Sequence, residues 1–370
     1  MKKIAYKTFI YFSIALATAY LFSCLTPYIS PVDCWILAYL DLGFPFLAFA
    51  LIIFIFSWFF IKKGNAVLLL FIFLIGYKNL KATIGIHFIQ SSDKTVRPSI
   101  KIMTWNVKGF DNPAIYLEAP TALRRRMFNY IEAQNATILC LQEFTEHDGP
   151  GMFSNTQELI KLGYKYFYRT DDVTRLYPYG RIIGCSAIFS KIPIQRSGKT
   201  VLGDSSFPEH IGFVDVMLEN KPIRIFTGHF KSYNFHAYFL DSIDIVPFHS
   251  DKAFVYKASA FEKIKIFTQD HAKQAAIAKK QMNSSKIPYV FGGDLNAVPA
   301  SFAYHLLSEG LQDAFIEKGK GLGATMDSMP ITLRIDYLLL DKAISINSFK
   351  KDTVHLSDHF PQLIDISWKE

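Results

Sequence analysis

Acidic residues are almost absent from the first part of this 370-residue chain, where Asp33 and Asp41 are the only ones before residue 88. Cysteine is also scarce: there are four, and none has the spacing of a zinc site. Two of them lie in apolar runs and are expected in a core, whereas Cys24 and Cys34 flank a short connection and could pair. The lack of acids separates residues 1–90 from the remainder, whose mixed composition is typical of a soluble α/β protein.

Three apolar segments fill the first part, at residues 4–25, 34–61 and 66–89. A bilayer core needs about 20 helical residues, so the first two are long enough, while Lys78 and Lys81 interrupt the third. The stretch FLAFALIIFIFSWFFI is apolar on every face, which argues against a helix of a soluble domain. The sequence therefore predicts a membrane anchor over residues 1–90, with two or three transmembrane helices in the lipid bilayer.

Positive charges indicate how these segments are oriented. Lys2, Lys3 and Lys7 lie at the start of the chain and the turn KKGN follows the second segment, whereas the connection TPYISPVD has no positive charge. The positive-inside rule then places the N-terminus and Lys62 in the cytoplasm. Three spans put everything after Lys94 outside the cytoplasmic membrane, and two put it inside. We expect an integral cytoplasmic (inner) membrane protein whose domain after residue 94 is extracytoplasmic, in the periplasm. Cleavage of the first segment as a signal peptide is disfavoured, because further spans follow it.

The overall charge favours anionic partners. The chain has a net charge of +8 and a pI near 9.0. Nucleic acid, phospholipid head groups and phosphorylated small molecules all fit this balance. Part of the excess belongs to the lysines beside the apolar segments, so the rest of the chain is less basic than the total.

The remaining chain has the pattern of a layered α/β domain. Residues 91–99 are polar and predict a linker. After it, SIKIMTWNV is typical of a strand, APTALRRRMFNYIEAQN of a helix, and ATILCLQEF of a buried strand. Further strand candidates are CSAIFS, IGFVDVML, IRIFTGHF, IPYVFGGD, IDYLLL and LIDISW. Many strands with few helices predict, for residues 100–370, sheets that pack on each other and are flanked by helices.

A long excursion separates two of these strands, over residues 231–285. Its first part is rich in aromatic residues, which could stack on bases, contact lipid or pack on the sheet. Its second part, FEKIKIFTQDHAKQAAIAKKQM, has the periodicity of a helix.

Polar side chains recur where the predicted strands end. They are Asn106 in TWNV, Glu143 in LQE, His229 in TGHF, Asp294 and Asn296 in GGDLN, Asp336 in RIDYLLL, and Asp358 and His359 in LSDHFP. Each alone is most simply a turn residue, a solvated carboxylate or a structural histidine. Together they have one simple explanation, a shared polar mouth over a packed sheet. Asp294 and Asn296 are two residues apart, a spacing at which side chains of a strand project the same way.

In this order, TWNV, LQE, GHF, GDLN, RIDY and SDHFP resemble the motifs of the endonuclease/exonuclease/phosphatase superfamily, over about residues 100–368. That superfamily includes deoxyribonuclease-like enzymes, apurinic endonucleases, neutral sphingomyelinases and inositol polyphosphate phosphatases. The resemblance implies a four-layer α/β sandwich, in which two packed mixed β-sheets are flanked by helices. It also implies a hydrolase of phosphoester bonds that depends on a divalent metal. GDLN replaces the frequent Gly-Asp-Phe-Asn, an apolar change that leaves the catalytic pair intact.

The resemblance implies a metal site and a group that activates water. Glu143 would be the principal ligand of Mg²⁺, or of Mn²⁺, with Asn106 beside it; such cations prefer oxygen ligands. Asp294 would orient or activate the attacking water, and Asn296 would hold the phosphate and that water.

The same resemblance implies two catalytic histidines. His359, paired with Asp358, would contact the phosphate or take part in proton transfer. His229, oriented by Asp336, would contact the phosphate and protonate the leaving oxygen. Apurinic endonucleases do not keep this second histidine in the same form, so its presence favours a general phosphodiesterase.

Three functions remain open from the sequence. The first is a membrane-anchored phosphodiesterase or endonuclease acting on nucleic acid or a phospholipid head group. The second is a phosphomonoesterase or a sphingomyelinase-like lipid phosphodiesterase at the membrane surface. The third is a catalytically silent, membrane-tethered binding protein, which would be expected to have lost a ligand or a histidine. RSGKT is not a P-loop, because Pro193 stands where the earlier glycine is required.

Overall fold

The computed structural model describes residues 2–87, 98–111, 121–148, 153–177, 180–203, 209–232, 260–327 and 333–369. Its α-helices are α1 (Lys2–Ser23), α2 (Ala38–Ile61), α3 (Lys63–Ile75), α4 (Tyr77–Thr83), α5 (Ala122–Gln134), α6 (Asn155–Lys161), α7 (Ala260–Asn283), α8 (Phe302–Ser308) and α9 (Ala314–Lys318). Its strands are β1 (Gly85–Ile86), β2 (Ile100–Asn106), β3 (Ile138–Asp148), β4 (Tyr166–Arg169), β5 (Val173–Tyr177), β6 (Gly180–Ser190), β7 (Arg196–Val201), β8 (His210–Leu218), β9 (Lys221–Gly228), β10 (Tyr289–Asp294), β11 (Gln312–Asp313), β12 (Lys320–Gly321), β13 (Asp336–Leu340), β14 (Ile344–Lys351) and β15 (Gln362–Trp368). Most of the predicted linker and of the aromatic run lies outside the described residues.

The chain forms two compact units, each assembled from separate segments. The helical unit contains Met1–Thr83, Lys231–Lys273 and Asn296–Leu306. The sheet unit contains Ile84–Phe230, Gln274–Leu295 and Leu307–Glu370. The predicted helix of the excursion is present as α7.

Two helices of the helical unit are long and apolar enough to cross a membrane, as predicted. They are α1 and the stretch Trp35–Ile61, which contains α2. At about 1.5 Å per residue, the 22 residues of α1 and the 24 of α2 suit a hydrocarbon core of about 30 Å. Large apolar side chains such as Phe49, Phe56 and Phe60 are exposed along α2. Exposed apolar surface of this kind marks contact with lipid or protein rather than with water.

The third predicted span is a bent pair of helices. α3 and α4 meet at Gly76 at an angle of 64°. The hydroxyl of Tyr20 donates a hydrogen bond to the carbonyl of Phe73 over 2.8 Å, and a Cβ at residue 76 would overlap that hydroxyl. A glycine therefore allows the close approach of α1 at the bend. By length and composition the described helices supply two spans, or three when this pair counts as one.

Two mixed β-sheets form the sheet unit. One has six strands, in the order β11-β13-β10-β9-β8-β7. The other has seven, in the order β14-β15-β2-β3-β6-β4, with β5 paired to β6. The pairs β2 with β3 and β9 with β10 are parallel, and the other described pairs are antiparallel. The predicted architecture, two mixed sheets flanked by helices, is confirmed.

Side chains that alternate along each strand point into two different hydrophobic cores. Ile102 of β2 faces a core between the two sheets, which also contains Val290 of β10 and Leu338 of β13. Met103 and Trp105 face the other side of β2. This outer core also contains Met127, Phe128 and Ile131 of α5 and Leu159 of α6. The even-numbered residues of β2 therefore point between the sheets, and this parity decides where Asn106 points.

The cysteines are all free thiols. Cys140 and Cys185 are buried in the two cores of the sheet unit, as expected. The possible pair of Cys24 and Cys34 is not formed. The expectation rested only on their closeness along the sequence, which does not fix the distance between their side chains.

Candidate active site

Neighbouring strand ends bring the predicted residues together. In the seven-stranded sheet, β2 ends at Asn106, which is paired with Gln142 of β3. In the six-stranded sheet, β10 ends at Asp294, which pairs with Asp336 at the start of β13 and bridges to His229. Asn106 has the parity of the residues that face the other sheet. The two sheets therefore present polar side chains to each other at one end of their shared core.

A β-bulge brings Glu143 to the same place. Regular alternation in β3 would put Gln142 between the sheets and Glu143 on the outer face with Leu141. The pairing of β3 with β6 instead shifts between Leu141 and Phe144, and Glu143 adopts a φ of 49°. The extra residue lets Phe144 return to the outer core and lets Glu143 turn toward Asn106.

Two carboxylates converge on one amide group. Nδ2 of Asn106 donates hydrogen bonds to Oε1 of Glu143 at 3.0 Å and to Oδ2 of Asp294 at 3.1 Å. Its Oδ1 accepts a hydrogen bond from the backbone N–H of Lys108 at 3.1 Å. Asp294 is fully buried, whereas the side chain of Glu143 is 41% exposed. The site therefore has a closed inner wall and one carboxylate that faces solvent.

Two histidines lie beside the carboxylate of Asp294. Nε2 of His229 is 3.8 Å from Oδ2 of Asp294 and 3.5 Å from Oε1 of Glu143. Nδ1 of His359 is 3.7 Å from the same oxygen of Asp294 and 2.9 Å from Oδ2 of Asp336. Burial lowers the pKa of each ring, but the carboxylates outweigh it. Asp294 and Glu143 raise the pKa of His229, while Asp336 and Asp294 raise that of His359 to about 10. His359 is therefore a cation at neutral pH.

The carboxylate partners of the histidines differ from those predicted. The sequence assigns Asp336 to His229, but Oδ2 of Asp336 accepts a hydrogen bond from Nδ1 of His359. The sequence assigns Asp358 to His359, but Oδ2 of Asp358 lies 2.7 Å from Nζ of Lys108. Asp358 acts on His359 only through its charge, which helps to raise the pKa of the ring, and Asp336 is the hydrogen-bond partner. Closeness in sequence suggested the pair of Asp358 with His359, whereas the fold places Asp336 against the ring.

Asn296 does not continue the strand. β10 ends at Asp294, and Asn296 adopts a φ of 48°, so the expected strand alternation through both residues is wrong. The backbone N–H of Leu295 donates to the carbonyl of Ile335 at 2.9 Å, where the chain leaves the sheet. Asn296 is buried and belongs to the helical unit, and its role stays a prediction.

Three supporting residues had no predicted role. Gln142 is fully buried and donates from Nε2 to the hydroxyl of Thr227 at 2.9 Å, which joins the two sheets beneath the site. Trp105 donates from its indole nitrogen to the carbonyl of His359 at 2.8 Å. Lys108 forms the ion pair described above. Only Gln142 had a signal in the sequence, because an amide on the buried face of an apolar strand requires a partner.

The donors at Asn106 suit a hard divalent cation. Glu143 and Asp294 present carboxylate oxygens to one position, and the amide of Asn106 supplies an oxygen when its side chain turns over. Asp294, Asp336 and His359 also form a cluster, with ligand atoms within 4.8 Å of one another. There, however, the cationic ring of His359 already neutralises the acids.

The fold and this site together define a phosphoester hydrolase. Residues 103–359 match the sequence model of the Endonuclease/Exonuclease/phosphatase family, and the chain belongs to this family. Its members hydrolyse phosphoester bonds. Residues 6–83 match a second model, described as a domain of unknown function. Among curated proteins, no match is found.

Solved structures share the fold. An endonuclease/exonuclease/phosphatase from Beutenbergia cavernae DSM 12333 is similar with a TM-score of 0.53 and 17% identity, over 74% of this chain and 72% of that chain. The human Nocturnin catalytic domain with a bound sulfate anion has a TM-score of 0.51 and 18% identity, over 74% and 96%. A humanized D. rerio TDP2 has a TM-score of 0.50 and 16% identity, over 73% and 99%. At these identities the likeness supports the fold alone.

We expect Asp336→Asn to move the alkaline limit of activity to lower pH. Asp336 is the first of the charges that raise the pKa of His359 to about 10, and an opposite charge typically shifts a pKa by about 1 to 3 units. Rates measured between about pH 6 and pH 11 should therefore fall earlier in the variant. An alkaline limb that does not move would contradict the pairing.

The same pairing makes stability depend on pH. The folded-state pKa of His359, about 10, lies above the value of about 6.5 expected in the unfolded chain. Its contribution to stability is therefore complete below about pH 6.5 and is lost as the pH rises toward 10. The melting temperature of the parent protein should fall more across this window than that of Asp336→Asn.

Proposed function

We propose that the protein is a membrane-anchored, divalent-metal-dependent phosphodiesterase or endonuclease. The observation that carries the proposal is the convergence of Glu143 and Asp294 on Asn106, with His229 and His359 within 4 Å of Asp294. This combination supplies a base, positive charge for a phosphate and oxygen ligands for a cation. A catalytically silent binding protein would not need these groups. All eight positions that the family motifs predict carry the expected residue type.

The charge of each side chain suits it to a different role in the reaction. Asp294, a buried carboxylate, would accept a proton from the attacking water. The cationic ring of His359 would donate from Nε2 to a phosphate oxygen, because Asp336 already binds Nδ1. His229 would contact the phosphate and protonate the leaving oxygen. Asn296 would hold the phosphate and the water.

Glu143 and Asn106 would hold Mg²⁺, with Mn²⁺ as the alternative. When bound, the cation would supply a Lewis acid that polarises the phosphoryl oxygen and offsets its developing charge. The exposed side of Glu143 leaves room for water and substrate ligands, which Mg²⁺ usually retains. The protein would contribute to metal binding by fixing the carboxylate of Glu143 through the β-bulge in β3.

Two classes of substrate fit the protein. A nucleic acid fits the basic composition, whereas a sphingomyelin-like lipid fits the apolar helices that would place the enzyme at a bilayer. The test is to assay the full chain on duplex DNA, a phosphodiester dye, a phosphomonoester and sphingomyelin, each with Mg²⁺, Mn²⁺ or EDTA. Metal-dependent cleavage of a diester supports the proposal. Cleavage of the monoester alone, or equal rates in EDTA, contradicts it.

The helical unit itself supports an extracytoplasmic domain. The connection between α1 and α2 contacts α7, because Gln269 donates to the carbonyl of Pro31 at 3.1 Å and Trp35 packs edge-on against Phe261, with ring centroids 5.6 Å apart. If α1 crosses the bilayer with its lysines in the cytoplasm, this connection and α7 lie on the opposite side. Three crossings return the chain to that same side after α4.

We therefore expect the catalytic region to be digested when protease is added to intact spheroplasts. A site placed after Lys94 should be cut before lysis, while one at the KKGN turn should be cut only after lysis. Protection of the first site until lysis would establish the two-span arrangement instead. A cytoplasmic marker protein, intact before lysis, is the control.

A further inference from the structure

The segment that follows the catalytic aspartate packs with the membrane helices. Asn296–Leu306 belongs to the same compact unit as α1 to α4. Between Asn296 and Ser301 the chain has no helix or strand. One turn, closed by the bond from the N–H of Ser301 to the carbonyl of Val298 at 2.9 Å, is its own backbone hydrogen bond, and the rest of its course depends on tertiary contacts.

Thr26, just after α1, makes one of these contacts. Its hydroxyl lies 2.6 Å from the carbonyl of Ala300 and 2.9 Å from that of Ser23, and it donates to the nearer one, while Thr26 is 2% exposed. Ala300 is also part of the apolar core of the helical unit, with Tyr20 and Phe44. The bond therefore fixes a backbone carbonyl four residues beyond Asn296 at a buried place where water cannot replace the donor.

Asn79 of α4 makes the second contact. Its Oδ1 accepts a hydrogen bond from Nε2 of His305 at 2.9 Å, and its Nδ2 donates to the carbonyl of Ser23 at 2.9 Å. The same Nδ2 lies 3.4 Å from the hydroxyl of Thr26. Burial, with a contribution from Lys78, lowers the pKa of His305 to about 3, so its ring is neutral and its Nε2–H donates. One buried amide thus joins α1, α4 and the segment.

These bonds lie a short distance along the chain from the active site. Leu295 is fixed by its bond to Ile335, and Ala300 is fixed by Thr26. Only residues 296–299 lie between, and Asn296 is already in a left-handed conformation, φ 48°. A short connection with both ends fixed has few conformations, so moving Ala300 changes where Asn296 can lie.

We propose that Thr26 and Asn79 are positioning residues for Asn296, so that the packing of the anchor, and not only its insertion, sets the turnover rate. The inference rests on the proposed function, in which Asn296 holds the phosphate and water. The domain at the N-terminus is then part of the catalytic apparatus, acting through the segment that it holds. Detergents or lipids that loosen α1 from α4 would lower kcat without touching the catalytic side chains.

The test uses the full chain in lipid nanodiscs. Thr26→Val keeps the shape of the side chain but removes the donor, and we expect kcat to fall about tenfold, because small misplacements of a reacting group are costly. Thr26→Ser keeps the hydroxyl and should stay within about twofold of the parent. Ser13→Ala is the matched control, since it removes the buried bond from Trp58 to Ser13 at 2.8 Å within the same unit without touching the segment. Its kcat should equal that of the parent.

A double variant separates positioning from general destabilisation. If Thr26 acts through Asn296, Thr26→Val should have almost no further effect on kcat in an Asn296→Ala background. Amide hydrogen exchange over residues 296–306 should also be faster in Thr26→Val than in Ser13→Ala. Additive losses, or equal exchange and parent-like kcat in Thr26→Val, would overturn the inference. A parent rate for Asn296→Ala would remove the proposed role of Asn296 and this inference with it, while metal-dependent turnover would still stand.

Discussion

Asp294→Asn is expected to lower kcat about a thousandfold while the protein stays folded. General acid–base groups typically contribute about 10² to 10⁴ in rate, and Asp294 is the buried carboxylate beside both imidazoles. An asparagine oxygen can still accept the hydrogen bond that Nδ2 of Asn106 now makes to Oδ2. The variant therefore keeps the packing and loses the basic oxygen. Single-turnover rates on the best substrate of the panel, with melting temperatures, measure both quantities.

The control for this prediction is Asp341→Asn. Asp341 accepts a hydrogen bond from the backbone of Ala343 at 2.8 Å in an exposed turn and lies outside the active-site residues. It should turn over at the parent rate. If Asp294→Asn kept the parent kcat, the proton acceptor would have to be another group, and His359 would be the next residue to test. A collapse of the melting temperature would show that the loss is structural.

Glu143→Gln is expected to weaken metal binding at least about a hundredfold and to lower kcat with it. Even residues that only support metal ligands change affinity by about 10- to 100-fold, and Glu143 is the proposed principal ligand. A glutamine fills the same volume on the β-bulge but offers a neutral oxygen to the cation. Titration calorimetry with Mn²⁺ measures the binding directly, without reference to turnover. Raising the metal concentration should restore part of the activity.

Glu158→Gln is the matched control for this second prediction. Glu158 is 40% exposed, close to the 41% of Glu143, but pairs with Lys161 on α6. It should bind Mn²⁺ as the parent does. If Glu143→Gln bound the metal with parent affinity, the ligand-type cluster of Asp294, Asp336 and His359 would be the alternative site. The charge argument that favours Glu143 would then be wrong.

The sequence motifs predict site residues best where a polar residue ends an apolar strand. The sheet unit brings together six residues that the sequence predicts for one site, Asn106, Glu143, His229, Asp294, Asp336 and His359. The pairs among them were not predictable in the same way. Asp358 is adjacent to His359 in sequence, yet Asp336, 23 residues away, holds its ring. A strand motif shows which residues are polar, but the directions of their side chains depend on register and bulges.

Glu143 illustrates this limit. The alternation of β3 predicts that Gln142 and Glu143 face opposite sides, and an extra residue between Leu141 and Phe144 overrides it. The sequence does not predict this bulge, because glutamate rarely adopts a left-handed conformation. The pairing of β3 with β6 holds Glu143 in it. The proposed metal position therefore depends on a feature of sheet pairing.

Composition, periodicity and local motifs were enough to predict the apolar N-terminal helices, the α/β class and the candidate site residues. The folded chain was needed to establish which carboxylate accepts the hydrogen bond of His359, where Glu143 points, and that residues 296–306 pack with the apolar helices. These outcomes depend on contacts between segments far apart in the chain, such as Thr26 with Ala300 and Asn79 with His305. Local patterns carry no information about such pairs, since each partner has many other ways to satisfy the same hydrogen bond.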